Sequence, residues 1–453
     1  MSRDAYADAE AVFRAALTRV DPLAMMHRVL SLSGQTLRIA TESECFSLDL
    51  SQFRRILVIG AGKASARMAL GLERLLGARI TDGVVAVKEG HVELLDRIRL
   101  IEAAHPVPDE RSVHAAETVL GLARTATAED LVLVLVSGGG SAILAAPYAD
   151  AARSLSLADK QAVTRELLAC GASIQEVNCV RKKLSGIKGG RLAKALGPAQ
   201  TVTFILSDVI GDDLDAIASG LTVPDQTTAS QALEIVTRYG LVDRLPPVVA
   251  RLLADEAAGR APDTPKADDP AFANKRTILI GTNFQALLAG RDKARELGYE
   301  TLILTSHLTG EAREIASLFL AMAKDVNVNG EPLRRPACII AGGETTVTLR
   351  GHGLGGRNQE MALAFLAGIV RAPKDVNGAV FLAASTDGSD GPTDATGAFA
   401  SVGILKDGLV KGLNPAAFLA ENDAYHYFEA LGRLLKTGPT NTNVCDVKVL
   451  IVP

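Results

Sequence analysis

The 453-residue chain has no surplus of either charge: 48 lysines and arginines stand against 52 acidic residues, a formal net charge of −4. Binding a polyanion needs a concentrated basic face, so this balance gives no footprint for nucleic acid. Cysteine is sparse. Its five positions, Cys45, Cys170, Cys179, Cys338 and Cys445, are odd in number and form no C-x-x-C pair, which argues against a disulfide framework or a zinc site. No apolar run approaches the ~20 residues that span a bilayer, and Arg3, Asp4, Asp8 and Glu10 precede any apolar stretch. No membrane association and a cytoplasmic location are therefore expected. What the chain does have is 48% hydrophobic residues, 22% charged residues and 41 glycines, the composition of a globular α/β protein. Its length suggests two domains.

The most informative stretch is Leu131 to Pro147, LVLVLVSGGGSAILAAP. A short aliphatic run rich in Val and ended by glycines reads as a strand of a parallel sheet buried on both faces. The following loop then lies at a carboxyl edge, where open α/β sheets bind ligands. Ser137, Gly138, Gly139, Gly140 and Ser141 point to phosphate or carboxylate binding through close-lying backbone N–H groups. A tight turn with no ligand is the plain alternative.

A second strand, Arg55 to Ile59, runs into Gly60-Ala61-Gly62-Lys63-Ala64-Ser65 and a helix through about Leu76. The loop nearly matches the dinucleotide fingerprint G-x-G-x-x-G/A. The next strand, Gly83 to Val87, ends in Lys88 where a dinucleotide fold usually offers an acid to the ribose. The phosphate loop G-x-x-x-x-G-K-[ST] fails as well, with Leu57 at its first glycine and Ala64 at its hydroxyl position. What survives is Lys63 at a helix start, able to hold a phosphoryl group by charge while backbone donors orient it. Ile98 to Ala103 is a further strand leading to His105, which either meets a substrate carboxylate or is structural, while Asp109 can cap the next helix.

Five cations, Arg181, Lys182, Lys183, Lys188 and Arg191, fall in the segment Asn178 to Arg191. Helical spacing cannot place them all on one face, and Arg181 and Lys188 are taken as the inward members of a phosphate site. After the strand Thr201 to Leu206 comes Ser207-Asp208-Val209-Ile210-Gly211-Asp212-Asp213. Asp208 is the candidate there for a magnesium ligand or a general base. Helices are expected over Leu157 to Ala169, Gln226 to Tyr239 and Pro247 to Ala258. Gly259 to Pro270, with three prolines and four charged side chains besides Arg260, reads as a linker. The domain boundary is placed there, giving 1–260 and 272–453.

Beyond it, Arg276 to Ile280, a helix to Leu297 and Glu300 to Thr305 form a βαβ unit, implying a second parallel or mixed sheet. Cys338 to Ala341 is a strand, Gly342-Gly343-Glu344 turns, and Thr345 to Leu349 alternates as a half-exposed strand should. A second glycine-rich loop, Gly351 to Gly356, precedes Arg357-Asn358-Gln359-Glu360 and an apolar helix. Arg357 suits a bidentate anion clamp. The strand Ala379 to Ala384 ends in a loop carrying Asp387, Asp390 and Asp394, which fits magnesium or substrate hydroxyls better than an EF-hand.

Together SGGGSA (137–142), NCVRKKLSGIKGGRLA (178–193), SDVIGDDLDAIASGLTVPD (207–225), GGETTVTLRGHGLGGRNQE (342–360) and STDGSDGPTDATGA (385–398) resemble the glycerate 2-kinase family. The resemblance implies an N-terminal Rossmann-like doubly wound parallel sheet, a smaller C-terminal α/β domain of MOFRL type with a mixed sheet, and an active site in the cleft between them. It implies transfer of the ATP γ-phosphoryl to the 2-hydroxyl of D-glycerate with Mg²⁺, and it points to Lys63 and Arg357 as cations of the site. On this reading Lys63, Arg181, Lys188 and Arg357 hold phosphate or the glycerate carboxylate, and the amides of 137–141 hold phosphate. His105, Glu344 and Asn358 contact substrate, and Asp208, Asp387 and Asp390 serve the metal or the attacking hydroxyl. A homodimer is left open. The competing readings are an NAD(P)H-dependent hydroxypyruvate reductase and a non-catalytic sensor of a small phosphorylated acid.

Overall fold

The computed structural model describes residues 4–370 and 372–453; Arg3 lies outside them. Two compact units emerge, one of Met25–Ile280 and one of residues 4–24 with Gly281–Pro453.

The first unit is built on six strands, β4 (Arg55–Ala61), β5 (Asp82–Lys88), β6 (Ile98–Ala103), β7 (Asp130–Val136), β8 (Gln200–Leu206) and β9 (Lys275–Gly281), in the order β6-β5-β4-β7-β8-β9. The pairings β6 with β5, β5 with β4, β4 with β7 and β7 with β8 are all parallel. All seven residues of β7 are buried, as a central strand covered on both faces requires. The loops after β4, β7 and β8 therefore leave from the same edge of the sheet. The helix Glu110–Ala123 starts at Asp109, whose side chain accepts from the N–H groups of Arg111 and Ser112, the cap expected from sequence. A satellite core around Val163, Leu167, Val180, Val236 and Leu252 joins the helices Leu157–Ala169, Ile174–Lys183, Ala229–Arg238 and Pro247–Ala257. The sequence expectations omit a small antiparallel sheet of β1 (Leu30–Ser33), β2 (Thr36–Ala40) and β3 (Cys45–Asp49).

The proline-rich stretch 259–270 is not a free linker. Lys183 Nζ donates to Thr264 Oγ1 at 2.7 Å and lies 2.9 Å from Asp263, and Asp225 N–H donates to the Pro265 carbonyl at 3.1 Å. Its charges are thus spent inside this unit. The chain then adds β9 to the same sheet, and the boundary falls at Ile280/Gly281.

In the second unit, β10 (Glu300–Leu308), β11 (Ala337–Gly343), β12 (Val380–Ser385), β13 (Gly397–Ser401), β14 (Leu434–Leu435) and β15 (Asp446–Val452) follow the order β10-β11-β15-β12-β13-β14. β10 and β11 are parallel, whereas β15 runs antiparallel to both its neighbours, so the sheet is mixed. The helix Ala5–Arg19 buries Val12, Phe13 and Ala16 against the helix Asn283–Glu296 and this sheet. That apolar face is why the first residues group with 281–453 and not with the N-terminal domain of the sequence reading. Thr345 to Leu349 is not a strand. Thr346 forms one isolated bridge with Glu311, and Thr348 is held through its N–H and hydroxyl by the Glu311 carboxylate at 2.9 and 3.1 Å. Its alternation lacks a neighbouring strand to pair with.

Beneath the mixed sheet, the ring of Phe381 lies 4.9 Å from the ring of Phe365, stacked, and 4.9 Å from that of Phe319. Phe381→Ala is expected to lower unfolding free energy by about 3–5 kcal/mol, read from urea melts.

Candidate active site

The geometry begins with two loops locked to each other at the edge of the parallel sheet. Ser137 N–H donates to the Ala61 carbonyl at 3.1 Å, Lys63 N–H to the Gly138 carbonyl at 2.9 Å, and Ala64 N–H to Ser137 Oγ at 3.0 Å. Gly62 N–H donates to Ala86 and Ser65 N–H to Gly62. Four successive amides of the GAGKAS turn are therefore already paired within the protein. A dinucleotide pyrophosphate needs such amides open, so this turn does not work as a dinucleotide cradle. The expectation that its backbone would orient a phosphoryl group is corrected in the same way. What the turn offers is the Lys63 side chain.

The carboxylate of Asp208 packs directly on Gly138: a Cβ there would sit 2.0 Å from Asp208 Oδ2. Gly139 has φ +80°, and a Cβ on it would lie 3.0 Å from His105 Cδ2, 3.1 Å from His105 Nε2 and 3.2 Å from Lys63 Cγ. Only glycine combines that backbone with so little room. Lys63 from the loop after β4, His105 after β6, Gly138 and Gly139 after β7, and Asp208 after β8 thus meet at one place. All but Gly138 are partly accessible. A cation, an imidazole and a carboxylate around bare backbone can bind an anion and handle a proton.

The five cations of 181–191 divide sharply. Lys182 and Lys183 are buried and paired with Asp225, Lys182 also with Asp215, and Arg191 bonds Glu256 and three main-chain carbonyls. Those three are structural. Arg181 Nη2 donates to Ser141 Oγ at 3.0 Å and Lys188 Nζ to the Ser141 carbonyl at 2.5 Å. Neither is joined to a carboxylate among the described residues. Burial pulls both below their ordinary pKa, and for Lys188 the charges of Arg181 and Lys160 add to it. Ser141 Oγ also lies 2.9 Å from Ser219 Oγ. Ser219 follows Ala218 in left-handed backbone, φ 59° after φ 49°, the kind of strain that clusters at functional sites. Neither Ser219 nor Lys160 was singled out by its sequence context.

In the second unit Arg357 opens the helix Arg357–Ile369. Its guanidinium donates to Asp446 from Nε at 2.7 Å and from Nη2 at 2.9 Å, and to Glu344 Oε1 from Nη1 at 2.5 Å. Burial lowers its pKa, but the bonds and charge of Asp446 outweigh that and hold it above the ordinary value. Asp446 is itself buried beside Lys448, 3.0 Å away. Asp446 was missed because DVKVLIV reads as nothing more than a buried strand. Asn283 holds the start of that strand, donating from Nδ2 to the carbonyls of Val444 and Asp446 at 2.7 and 3.0 Å.

Two assignments in this unit need correction. Asp390 is buried, and its oxygens accept from Asn358 N–H at 3.1 Å and Gln359 N–H at 2.8 Å at the start of the helix. It anchors that helix, which a metal-binding carboxylate could not do with both oxygens occupied. Burial raises its pKa to about 6. Asn358 is likewise buried and donates to Asp390 from Nδ2 at 3.1 Å, so it supports the loop and does not reach substrate. Asp387 accepts from Ser385 Oγ at 2.9 Å and Ser389 N–H at 3.0 Å, the turn chemistry of an Asx residue. Among the described residues no three His, Cys, Asp or Glu side chains gather as a metal-ligand set.

Residues 8–254 match the family model described as a domain of unknown function, DUF4147, and residues 337–446 match the MOFRL family. The chain is 39% identical over 401 residues to a D-glycerate 2-kinase of Thermotoga maritima, spanning 88% of this chain and 91% of that one. It is 42% identical over 400 residues to a protein of Agrobacterium vitis named putative hydroxypyruvate reductase, spanning 88% and 99%. The crystal structure of a glycerate kinase from Thermotoga maritima matches with a TM-score of 0.84 at 36% identity, covering 98% of each chain.

Two substitutions test the geometry. Gly138→Ala, which drives a methyl into the Asp208 carboxylate, is expected to cut turnover about 100-fold through misplacement of that group, with melting temperature as the control. Asp446→Ala, which strips Arg357 and Lys448 of a buried counter-ion, is expected to cost about 3–5 kcal/mol in urea melts.

Proposed function

The chain belongs to the glycerate kinase family, with a DUF4147 domain followed by a MOFRL domain, and on that basis we propose that it transfers the γ-phosphoryl group of ATP to the 2-hydroxyl of D-glycerate, giving 2-phosphoglycerate and ADP. The observation that carries the reading in this chain is the meeting of Lys63, His105 and Asp208 on the Gly138–Gly139 turn. In the reaction the 2-hydroxyl oxygen bonds the γ-phosphorus while the bond from that phosphorus to the bridging oxygen of ADP breaks. The hydroxyl proton leaves to a base. Such transfer needs positioning and neutralisation of spreading negative charge more than covalent help. Lys63 and Arg357 supply charge to the phosphates. Arg357 does so by exchanging its exposed partner Glu344 for a phosphate oxygen while Asp446 keeps the guanidinium in place. Asp208 takes the hydroxyl proton or a Mg²⁺ ion, and Asp387 is the second carboxylate assigned to that task.

Magnesium usually takes one or two protein carboxylates and completes its shell with water and phosphate oxygens. The half-buried Asp208 fits that demand and Asp390 does not. The ion would contribute charge neutralisation at the phosphates. The reductase reading finds no support at the GAGKAS turn, whose amides are paired internally, nor at the end of β5, where Lys88 stands in place of an acid.

Incubation with ATP and D-glycerate, followed by ³¹P NMR, is expected to give 2-phosphoglycerate. The 3-isomer would overturn the regiochemistry, and NADH oxidation by hydroxypyruvate without ADP release would overturn the kinase. Lys63→Ala is expected to lower kcat on the order of 10²- to 10³-fold, with the melting temperature held within about 2 °C.

A further inference from the structure

Three cations crowd the short segment that follows the SGGGS turn. Lys188 Nζ donates to the Ser141 carbonyl at 2.5 Å, Lys160 Nζ to the Ala146 carbonyl at 3.0 Å, and Arg181 Nη2 to Ser141 Oγ at 3.0 Å. Lys160 and Lys188 are buried and Arg181 is partly so. No carboxylate pairs with any of the three among the described residues, although the same unit neutralises Lys182, Lys183 and Arg191 with Asp215, Asp225, Asp263 and Glu256. Their charges depress one another: burial and then Arg181 and Arg191 bring Lys160 to a pKa of about 7. An uncompensated buried cation costs folding stability, and here three stand together.

Counting donors shows what the place lacks. A guanidinium carries five N–H donors and no acceptor, and that of Arg181 spends one on Ser141. Ser141 Oγ accepts from Arg181 and shares one hydrogen with Ser219 Oγ at 2.9 Å. One hydroxyl hydrogen of the pair is left over. The two ammonium groups face main-chain carbonyls, so they act by field, and the surface of contact is one planar fork plus one hydroxyl. That surface has the size and geometry of a carboxylate; a triphosphate needs a longer track.

Resting on the kinase reading above, we infer that Arg181, Ser141 and Ser219, backed by the buried charges of Lys160 and Lys188, form the subsite that recognises the carboxylate of the acceptor acid. Arg181 and the hydroxyl pair touch the acid. Lys160 is a positioning residue that acts through the field it adds behind Ser141. The subsite selects small 2-hydroxy acids over uncharged polyols.

The test is calorimetric titration of D-glycerate, with glycerol as the uncharged control, into the full chain holding a non-hydrolysable ATP analogue, joined to steady-state kinetics. Wild type is expected to bind D-glycerate and not glycerol. Lys160→Met is expected to weaken D-glycerate binding about tenfold, as loss of one charge several ångströms from a half-buried anion does. Its KM for ATP and its kcat should stay near wild type, and its melting temperature should rise because an unpaired buried charge is gone. Arg181→Gln is expected to weaken the acid about 100-fold. Unchanged D-glycerate affinity in both variants, wild-type binding of glycerol as tight as that of the acid, or a loss of ATP affinity in place of acid affinity would overturn the inference. If D-glycerate binds with the expected pattern but no phosphorylated product forms, the kinase reading fails and the carboxylate subsite stands.

Discussion

Everything at the first site depends on the mutual locking of two loops, the turn after β4 and the turn after β7. Ser137 to Ala61, Lys63 to Gly138 and Ala64 to Ser137 Oγ are short hydrogen bonds between residues adjacent in space because β4 and β7 are parallel neighbours. They use up the backbone donors that a bare glycine loop would otherwise present. They also fix where Lys63 leaves the main chain and leave Gly138 and Gly139 as the floor on which Asp208 and His105 pack. A charged side chain on a floor tied by main-chain bonds is pre-organised, which is what electrostatic catalysis requires.

The second unit solves a related problem by another route. Arg357 is a partly buried cation at a helix start, held by a buried bidentate acid, Asp446, which also faces Lys448. The helix is fastened by Asp390. Because Asp446 restrains the guanidinium from behind and Glu344 meets it from the exposed side, one partner can be exchanged without freeing the arginine. In both units fixed structural pairs surround a few cations that retain binding capacity.

The parts of this arrangement that can be read from sequence are those with local signatures. β4, β7 and β8 announce themselves as apolar runs ended by Gly, Ser and Asp, and the loops after them hold Lys63, Ser137 to Ser141 and Asp208. The choice of Arg181 and Lys188 as the inward cations among five agrees with their lack of carboxylate partners. That lack is set by Asp225 and Glu256, which are distant in sequence and silent about it. Lys160 sits in an ordinary amphipathic helix, and its burial against Ala146 is purely tertiary. Asp446 and Lys448 look like part of one more buried strand until β15 is seen between β11 and β12. Asp390 resembles a metal ligand in a glycine-rich acidic loop, and only the helix start packed over it reveals an anchor. The proline-rich stretch 259–270 has a linker's composition, yet Lys183 ties it down. Thr345 to Leu349 has a strand's alternation but no strand beside it.

The central claim is that the Gly138–Gly139 turn, with Lys63 beside it, is where phosphoryl transfer takes place. A crystal structure of the protein with a non-hydrolysable ATP analogue and D-glycerate tests it most directly. The account predicts a phosphate oxygen within hydrogen-bond distance of Lys63 Nζ and the 2-hydroxyl of the acid near Asp208. Phosphates bound elsewhere, with Lys63 Nζ turned away from both ligands, would contradict it.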